Sequence, residues 1–262
     1  MLPSKLELQS FPRRNDAEIA VAAEIADLIH DRNQEGLPTV LGLATGSTPI
    51  GVYAELVRRH REQGLDFSAV TTFNLDEFVG LSPQHPASFH AFMDQHLFSK
   101  VNLPKDQTHV LAGHLPMEAL EEECASFEDR IRQAGGIDFQ LLGIGRNGHI
   151  GFNEPPSSGD SRTRLVTLDA TTHRAYQDGF AAGEMPNYAL TMGVATILES
   201  RRIVLAALGE VKADIMLALQ GTFDDPDLPA SFLHRHPNAA LVLDAPAGSK
   251  LKDPTGSQAG GK

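Results

Sequence analysis

Short β-rich apolar runs alternate with segments of helical periodicity along most of this chain, and no other feature of the sequence narrows the fold as far. Thr39 to Ala44, Val70 to Leu75, Phe139 to Ile144, Ile203 to Leu208 and Ala240 to Leu243 are such runs. Between them, Asn15 and Asp16 mark a helix start, after which Ile19, Ala22, Ala23, Ala26 and Ile29 share one stripe. A second helix follows Thr48, with Tyr53, Leu56 and Val57 inward, and others are expected over Ser88 to Phe98, Met117 to Gln133, Pro186 to Leu198 and Val211 to Leu219. A strand that is apolar throughout must be covered on both faces. The pattern therefore predicts an α/β fold: a single-domain, open, mostly parallel sheet with helices on both faces, a Rossmann-like three-layer sandwich. Such sheets bind ligands beyond the carboxyl ends of their strands.

The expected domain spans residues 1–246. The irregular polar stretch of about 156–185 reads as a lid, and residues 247–262, rich in Gly, Ser, Lys and Pro, read as a frayed tail. Lys and Arg total 22 against 34 Asp and Glu, a net charge of −12. That surface repels polyanions, so neither nucleic acid nor a membrane surface is an expected partner. A single cysteine, Cys124, excludes an internal disulfide and Cys-rich zinc sites, and its neighbours Glu121 to Glu123 disfavour a thiolate. The first ten residues carry no basic-then-apolar signal, and no apolar run is long enough to span a bilayer, so a cytoplasmic location is expected.

Three motifs fall at strand ends. Leu43-Ala44-Thr45-Gly46-Ser47-Thr48-Pro49 runs from strand through a Gly/Ser/Thr turn into a helix, offering backbone N–H groups, hydroxyls and a helix N-terminus to a phosphate. It is neither a Walker A sequence nor a dinucleotide fingerprint. Phe73-Asn74-Leu75-Asp76-Glu77-Phe78 ends a strand in adjacent carboxylates, whose side chains must diverge: one can face a cleft as a general base while the other makes structural bonds. In Gly143 to Pro155, glycines surround Asn147, His149 and Glu154, which can form a carboxylate–imidazole relay. Lys212 follows another strand and opens a helix, where it can neutralise a phosphate. His85, His90, His96, His234 and His236 match no zinc spacing, so no metal site is expected.

Together these residues resemble the glucosamine-6-phosphate deaminase (isomerase) family, from about Leu41 to Asp244. Asn147-Gly148-His149-Ile150-Gly151-Phe152-Asn153-Glu154-Pro155 is the most specific element, supported by Phe73 to Gly80, Ser161 to Arg164 and Ala189 to Gly193. The related 6-phosphogluconolactonases share the Gly-His element but typically lack the Phe-Asn-Glu-Pro continuation. The resemblance implies conversion of glucosamine 6-phosphate and water to fructose 6-phosphate and ammonia, without metal or organic cofactor. By the same resemblance Asp76 moves a proton from C2 to C1 and His149 opens the pyranose ring. Glu154 and Asn147 orient and relay, while Thr45, Gly46, Ser47, Thr48 and Lys212 hold the 6-phosphate. The family also admits homo-oligomers. A galactosamine-6-phosphate deaminase, a phosphogluconolactonase and a non-catalytic sugar-phosphate sensor are the alternative readings. The sensor reading calls for a DNA-binding module, whereas the stretch ahead of the first expected strand offers one helix and the net charge is negative, so catalysis is the expectation.

Three departures stand out. Many members have Asp where this chain has Asn147, which cannot accept a proton, so its role shifts towards orientation. His173 occupies the place of a lid arginine that clamps the phosphate in many members: either Arg174, next in the chain, takes over after a one-residue slip, or phosphate binding relies more on Lys212. Val166 stands where regulated members carry a lysine of the activator site, and the tail has no aromatic residue. Weak or absent activation by N-acetylglucosamine 6-phosphate is the expectation.

Overall fold

The computed structural model describes residues 6–169, 172–173, 179–180 and 184–251. Strands β1 (Glu7–Phe11), β2 (Thr39–Leu43), β3 (Val70–Asn74), β5 (Thr108–His109), β6 (Phe139–Leu142), β9 (Arg202–Ala207) and β10 (Ala239–Asp244) form one seven-stranded sheet. Its order is β1-β10-β9-β6-β2-β3-β5, and every neighbouring pair is parallel. Helices α1 (Arg14–Gln34), α2 (Ile50–Gln63) and α3 (Phe89–His96) cover one face, burying Ile25, Tyr53, Leu56 and Met93 against Leu41, Leu43 and Phe139. Helices α4 (Leu120–Gln133), α5 (Val194–Leu198), α6 (Ala213–Gly221) and α7 (Ala245–Gly248) cover the other, where Phe127, Ile197 and Met216 meet Val40, Phe73 and Leu205. The expected three layers are present. Cys124 is buried in the second of these cores, and burial together with Glu123 pushes its thiol up to about 11.

The strand order places the site. From β2 the chain builds outward through β3 and β5, whereas from β6 it builds the opposite way through β9 and β10. The crevice between the carboxyl ends of β2 and β6 is therefore the topological switch point.

A second sheet was not expected from the sequence. Strands β4 (Asp76–Phe78), β8 (Tyr188–Thr191) and β7 (Arg164–Thr167) pair antiparallel in the order β4-β8-β7. The helix predicted over Pro186 to Leu198 is thus corrected: its first half is β8, and only Val194–Leu198 is helical. Two flanking strands supply the backbone partners of β8, and this tertiary pairing overrides a helical reading of its apolar residues. Gly193, extended just ahead of that helix, admits the close approach of Ser161, whose backbone oxygen a Cβ would meet at 2.0 Å. Beneath this sheet Phe78 packs on Phe89 and Phe152 with ring centroids 4.8 and 5.4 Å away, joining β4 to the loop after β6.

Part of the predicted lid, Arg164–Thr167, is strand β7. At the other end α7 carries Ala247 fully into the core, while residues 252–262 of the predicted tail lie outside the described residues. Among the described residues no helix is long and apolar enough to cross a membrane.

Candidate active site

A cavity of about 700 Å³ opens at the switch point, and Thr45, Gly46, Ser47, Thr48, Asp76, Asn147, His149 and Lys212 all line it. The turn after β2 needs Gly46, whose φ of +93° is left-handed. Helix α2 secures the turn through the Tyr53 hydroxyl, which donates to the Ala44 carbonyl at 2.6 Å. Helix α1 secures it through Arg14, which donates to the Ser47 carbonyl at 2.7 Å while pairing with Glu18. Among the described residues none of the N–H groups of Thr45–Thr48 donates to a protein acceptor. Free N–H groups ahead of a helix N-terminus make an anion cradle. Lys212, at the N-terminus of α6, donates from Nζ to the Ile144 carbonyl at 2.6 Å. Burial lowers its pKa, and the charge of Arg146 lowers it further.

The adjacent acids diverge. Glu77 turns away from the cavity and accepts the N–H groups of Phe78, Phe89 and His90 at 2.8, 2.9 and 3.0 Å, which caps helix α3. Burial still raises its pKa to about 7. Asp76 lines the cavity and among the described residues has no comparable set of donors, and burial plus the neighbouring Glu77 push it up to about 8.

His149 and Glu154 are in contact, with Nδ1 3.1 Å from Oε2. Asn147 donates from Nδ2 to the same Oε2 at 2.5 Å and accepts the His149 N–H at 3.3 Å. The Thr172 hydroxyl donates to the other carboxylate oxygen. Burial works to raise the Glu154 pKa, yet the bonds from His149, Thr172 and Asn147 outweigh it and the net shift is downward. An ionised Glu154 is acceptor-only, so Nδ1 carries the proton and Nε2 is left as the basic nitrogen. The imidazole lies directly on Gly145, where a Cβ would stand 2.4 Å from the ring.

Two residues of the site were not anticipated. Arg146 lines the cavity beside Lys212, and among the described residues it makes no hydrogen bond or ion pair. Its only sequence signal is a cation inside a Gly-rich strand exit. Thr172 lies in the polar stretch predicted as a lid, where nothing in the sequence distinguishes it. His173 donates its N–H to the Asp169 carbonyl at 2.9 Å and does not line the cavity, and Arg174 lies outside the described residues. His234 and His236 are buried against the carbonyls of Leu219 and Ser200 at 3.0 and 2.7 Å. Among the described residues no group of three or more His, Cys, Asp or Glu is placed to hold a metal ion.

Fold and cavity define a class: open parallel-sheet proteins with an anion-binding turn, a buried carboxylate and a carboxylate-tethered imidazole at the switch point. A sequence model of the family described as glucosamine-6-phosphate isomerases/6-phosphogluconolactonase matches residues 12–242, and the chain belongs to this family. Glucosamine-6-phosphate deaminase 2 of Giardia intestinalis is 46% identical over 254 residues, covering 95% of this chain and 94% of its own length. Glucosamine-6-phosphate deaminase 2 of Bacillus subtilis (strain 168) is 48% identical over 87% of this chain and 92% of its own length. A solved monomeric glucosamine-6-phosphate deaminase superposes with a TM-score of 0.89 at 38% identity, over 94% of this chain and all of that one. The 6-phosphogluconolactonase of Trypanosoma brucei, at 18% identity and a TM-score of 0.76 over 95% of this chain and all of its own, shares the fold.

Proposed function

We propose that this chain is a hydrolase that converts glucosamine 6-phosphate and water to fructose 6-phosphate and ammonia. The observation that carries the reading is the meeting, in one cavity, of a buried Asp76, a Glu154-tethered His149 and an unpaired N–H turn. The 6-phosphate sits in the Thr45–Thr48 turn against Lys212. His149 Nε2 moves the proton that opens the pyranose ring, and Glu154 stabilises the imidazolium formed. Asp76 then takes the C2 proton and returns it at C1, turning the amino aldose into a ketose imine. Water adds to that imine, and ammonia leaves. Asn147 holds Glu154 in place and carries no proton itself.

The test is release of ammonia and fructose 6-phosphate from glucosamine 6-phosphate, with galactosamine 6-phosphate and 6-phosphogluconolactone as comparators. No turnover of the first sinks the reading, and preferential turnover of the third reassigns the chain to the lactonases.

Arg146 supplies a second cation to the phosphate from the sheet edge, a place that the lid arginine of other members fills from above. Arg146→Ala should raise KM about tenfold, as for loss of one charge-assisted hydrogen bond, while kcat holds. An unchanged KM in steady-state kinetics would remove Arg146 from the phosphate site. Val166 packs against the Phe78 cluster and offers no cation, which supports insensitivity to N-acetylglucosamine 6-phosphate. Titrating that compound should leave the half-saturation concentration where it was.

A further inference from the structure

Arg164, on β7, is partly buried, and among the described residues it has no carboxylate partner. Burial lowers its pKa. A desolvated guanidinium without a counter-charge is a costly placement, so what it holds instead is informative. Nη1 donates to Asn153 Oδ1 at 2.8 Å, and Nη2 reaches Ser157 Oγ at 3.4 Å. These two residues bracket Glu154, whose carbonyl accepts the Ser157 hydroxyl at 2.6 Å.

Asn153 is fully buried, and its Nδ2 donates to the carbonyls of Ile150 and Met192, both at 2.8 Å. A guanidinium on one side of an amide accepts only its oxygen as partner, which turns the NH₂ onto those two carbonyls. Met192 directly follows β8, and its own N–H donates to the Leu75 carbonyl at 2.7 Å, one residue before Asp76. The Phe152 N–H donates to Thr191 Oγ1 at 3.0 Å. Across the small sheet Asp76, Thr191 and Arg164 stand in one row. Gly151, at φ +56°, passes so close that a Cβ would lie 3.0 Å from Thr191 Oγ1 and 3.4 Å from Asp76 Oδ2. Loop and strand are thus stitched together through one set of bonds.

We propose that Arg164 and Asn153 are positioning residues: they clamp the loop bearing His149 and Glu154 onto the strands bearing Asp76, and so set the distance between the two proton-transfer centres. Neither residue lines the cavity. The proposal rests on the reading of Asp76 and His149–Glu154 given above.

The test compares Arg164→Met, Arg164→Lys and the isosteric Asn153→Asp, which sets an oxygen against two carbonyls. Loss of alignment should lower kcat about 10–100-fold while KM for glucosamine 6-phosphate stays within about twofold. Arg164→Lys should recover part of the loss, since an ammonium reaches one acceptor but not both. The His149 ¹⁵N resonances should also shift in the variants as the Nδ1–Glu154 bond loosens, a signature that mere loss of folded protein does not give. The proposal is overturned if Arg164→Met and Asn153→Asp keep kcat within about twofold, or if their loss equals the unfolded fraction and the His149 resonances stay put. If Arg164→Met does not fold, Asn153→Asp and Arg164→Lys carry the same comparison. If the unaltered enzyme releases no ammonia, the functional reading fails on its own, and the His149 resonances still report the clamp.

Discussion

Asp76→Asn is expected to abolish turnover, by about 10²–10⁴-fold for loss of a general base, and at the same time to stabilise the folded protein at alkaline pH. Both effects follow from the same burial. An ordinary aspartate titrates at 3.8, whereas Asp76 is pushed up to about 8 by desolvation and by Glu77. Between those values the folded protein holds a proton that the unfolded chain has released, so stability falls as pH rises through the window. Above about 8 both states are ionised and the folded state carries the whole cost of the buried charge. A tenfold difference in proton affinity between the folded and unfolded states is worth about 1.4 kcal/mol, so the cost is of order a few kcal/mol. An amide does not ionise, and the Asp76→Asn variant escapes that loss.

Denaturant unfolding at pH 6 and pH 9 measures this directly. The unaltered protein should lose stability between the two, and Asp76→Asn should lose clearly less. Equal losses would show that the carboxylate is not held protonated. Activity runs the other way, because a base works only when ionised: kcat/KM of the unaltered enzyme should climb with pH towards about 8. In Asp76→Asn, exchange of the C2 proton with solvent should vanish while phosphate binding persists. Continued exchange would mean that another group is the base.

Gly145→Ala should cost about 100-fold in kcat, although it adds only a methyl group. That carbon would fall 2.4, 2.5 and 2.6 Å from Cε1, Nδ1 and Nε2 of His149, so the ring must move. The backbone here is not left-handed, and the change adds no strain of that kind. The ring is a side-chain terminus that can swing aside, so the fold should survive while the Nδ1–Glu154 contact at 3.1 Å breaks. Glu154 would then lose the bond that most lowers its pKa, and its titration should move upward. A crystal structure of the variant with the imidazole still on Glu154, or a kcat close to the parent's, would contradict this account. Phosphate affinity serves as the control, since the three atoms nearest the added carbon all belong to His149 and none to the Thr45–Thr48 turn.

Much of this molecule is written locally. Runs such as Thr39–Leu43, buried at every position, can only be central strands, and the stripe of Ala22, Ala26 and Ile29 can only be a helix laid on them. The two Gly-containing strand exits, Thr45–Thr48 and Gly143–Pro155, were legible because turns that approach a ligand demand glycine and small polar residues. Even the divergence of Asp76 and Glu77 follows from the alternation of an extended chain.

Other features depend on partners far along the sequence. Strand β8 pairs with β4, more than a hundred residues earlier, and its apolar residues carry no local mark of that pairing. Thr172 meets Glu154 across 18 residues of chain, and Arg146 stands beside Lys212 only because β6 and β9 are neighbours. Sequence alone determined the layered fold and the residue types at each strand exit, since periodicity and turn chemistry are local properties. The tertiary structure alone decided which acid is desolvated in the cavity, which nitrogen of His149 is tethered, and how Arg164 and Asn153 bind the two halves of the site together, because desolvation and hydrogen-bond geometry exist only once distant segments meet.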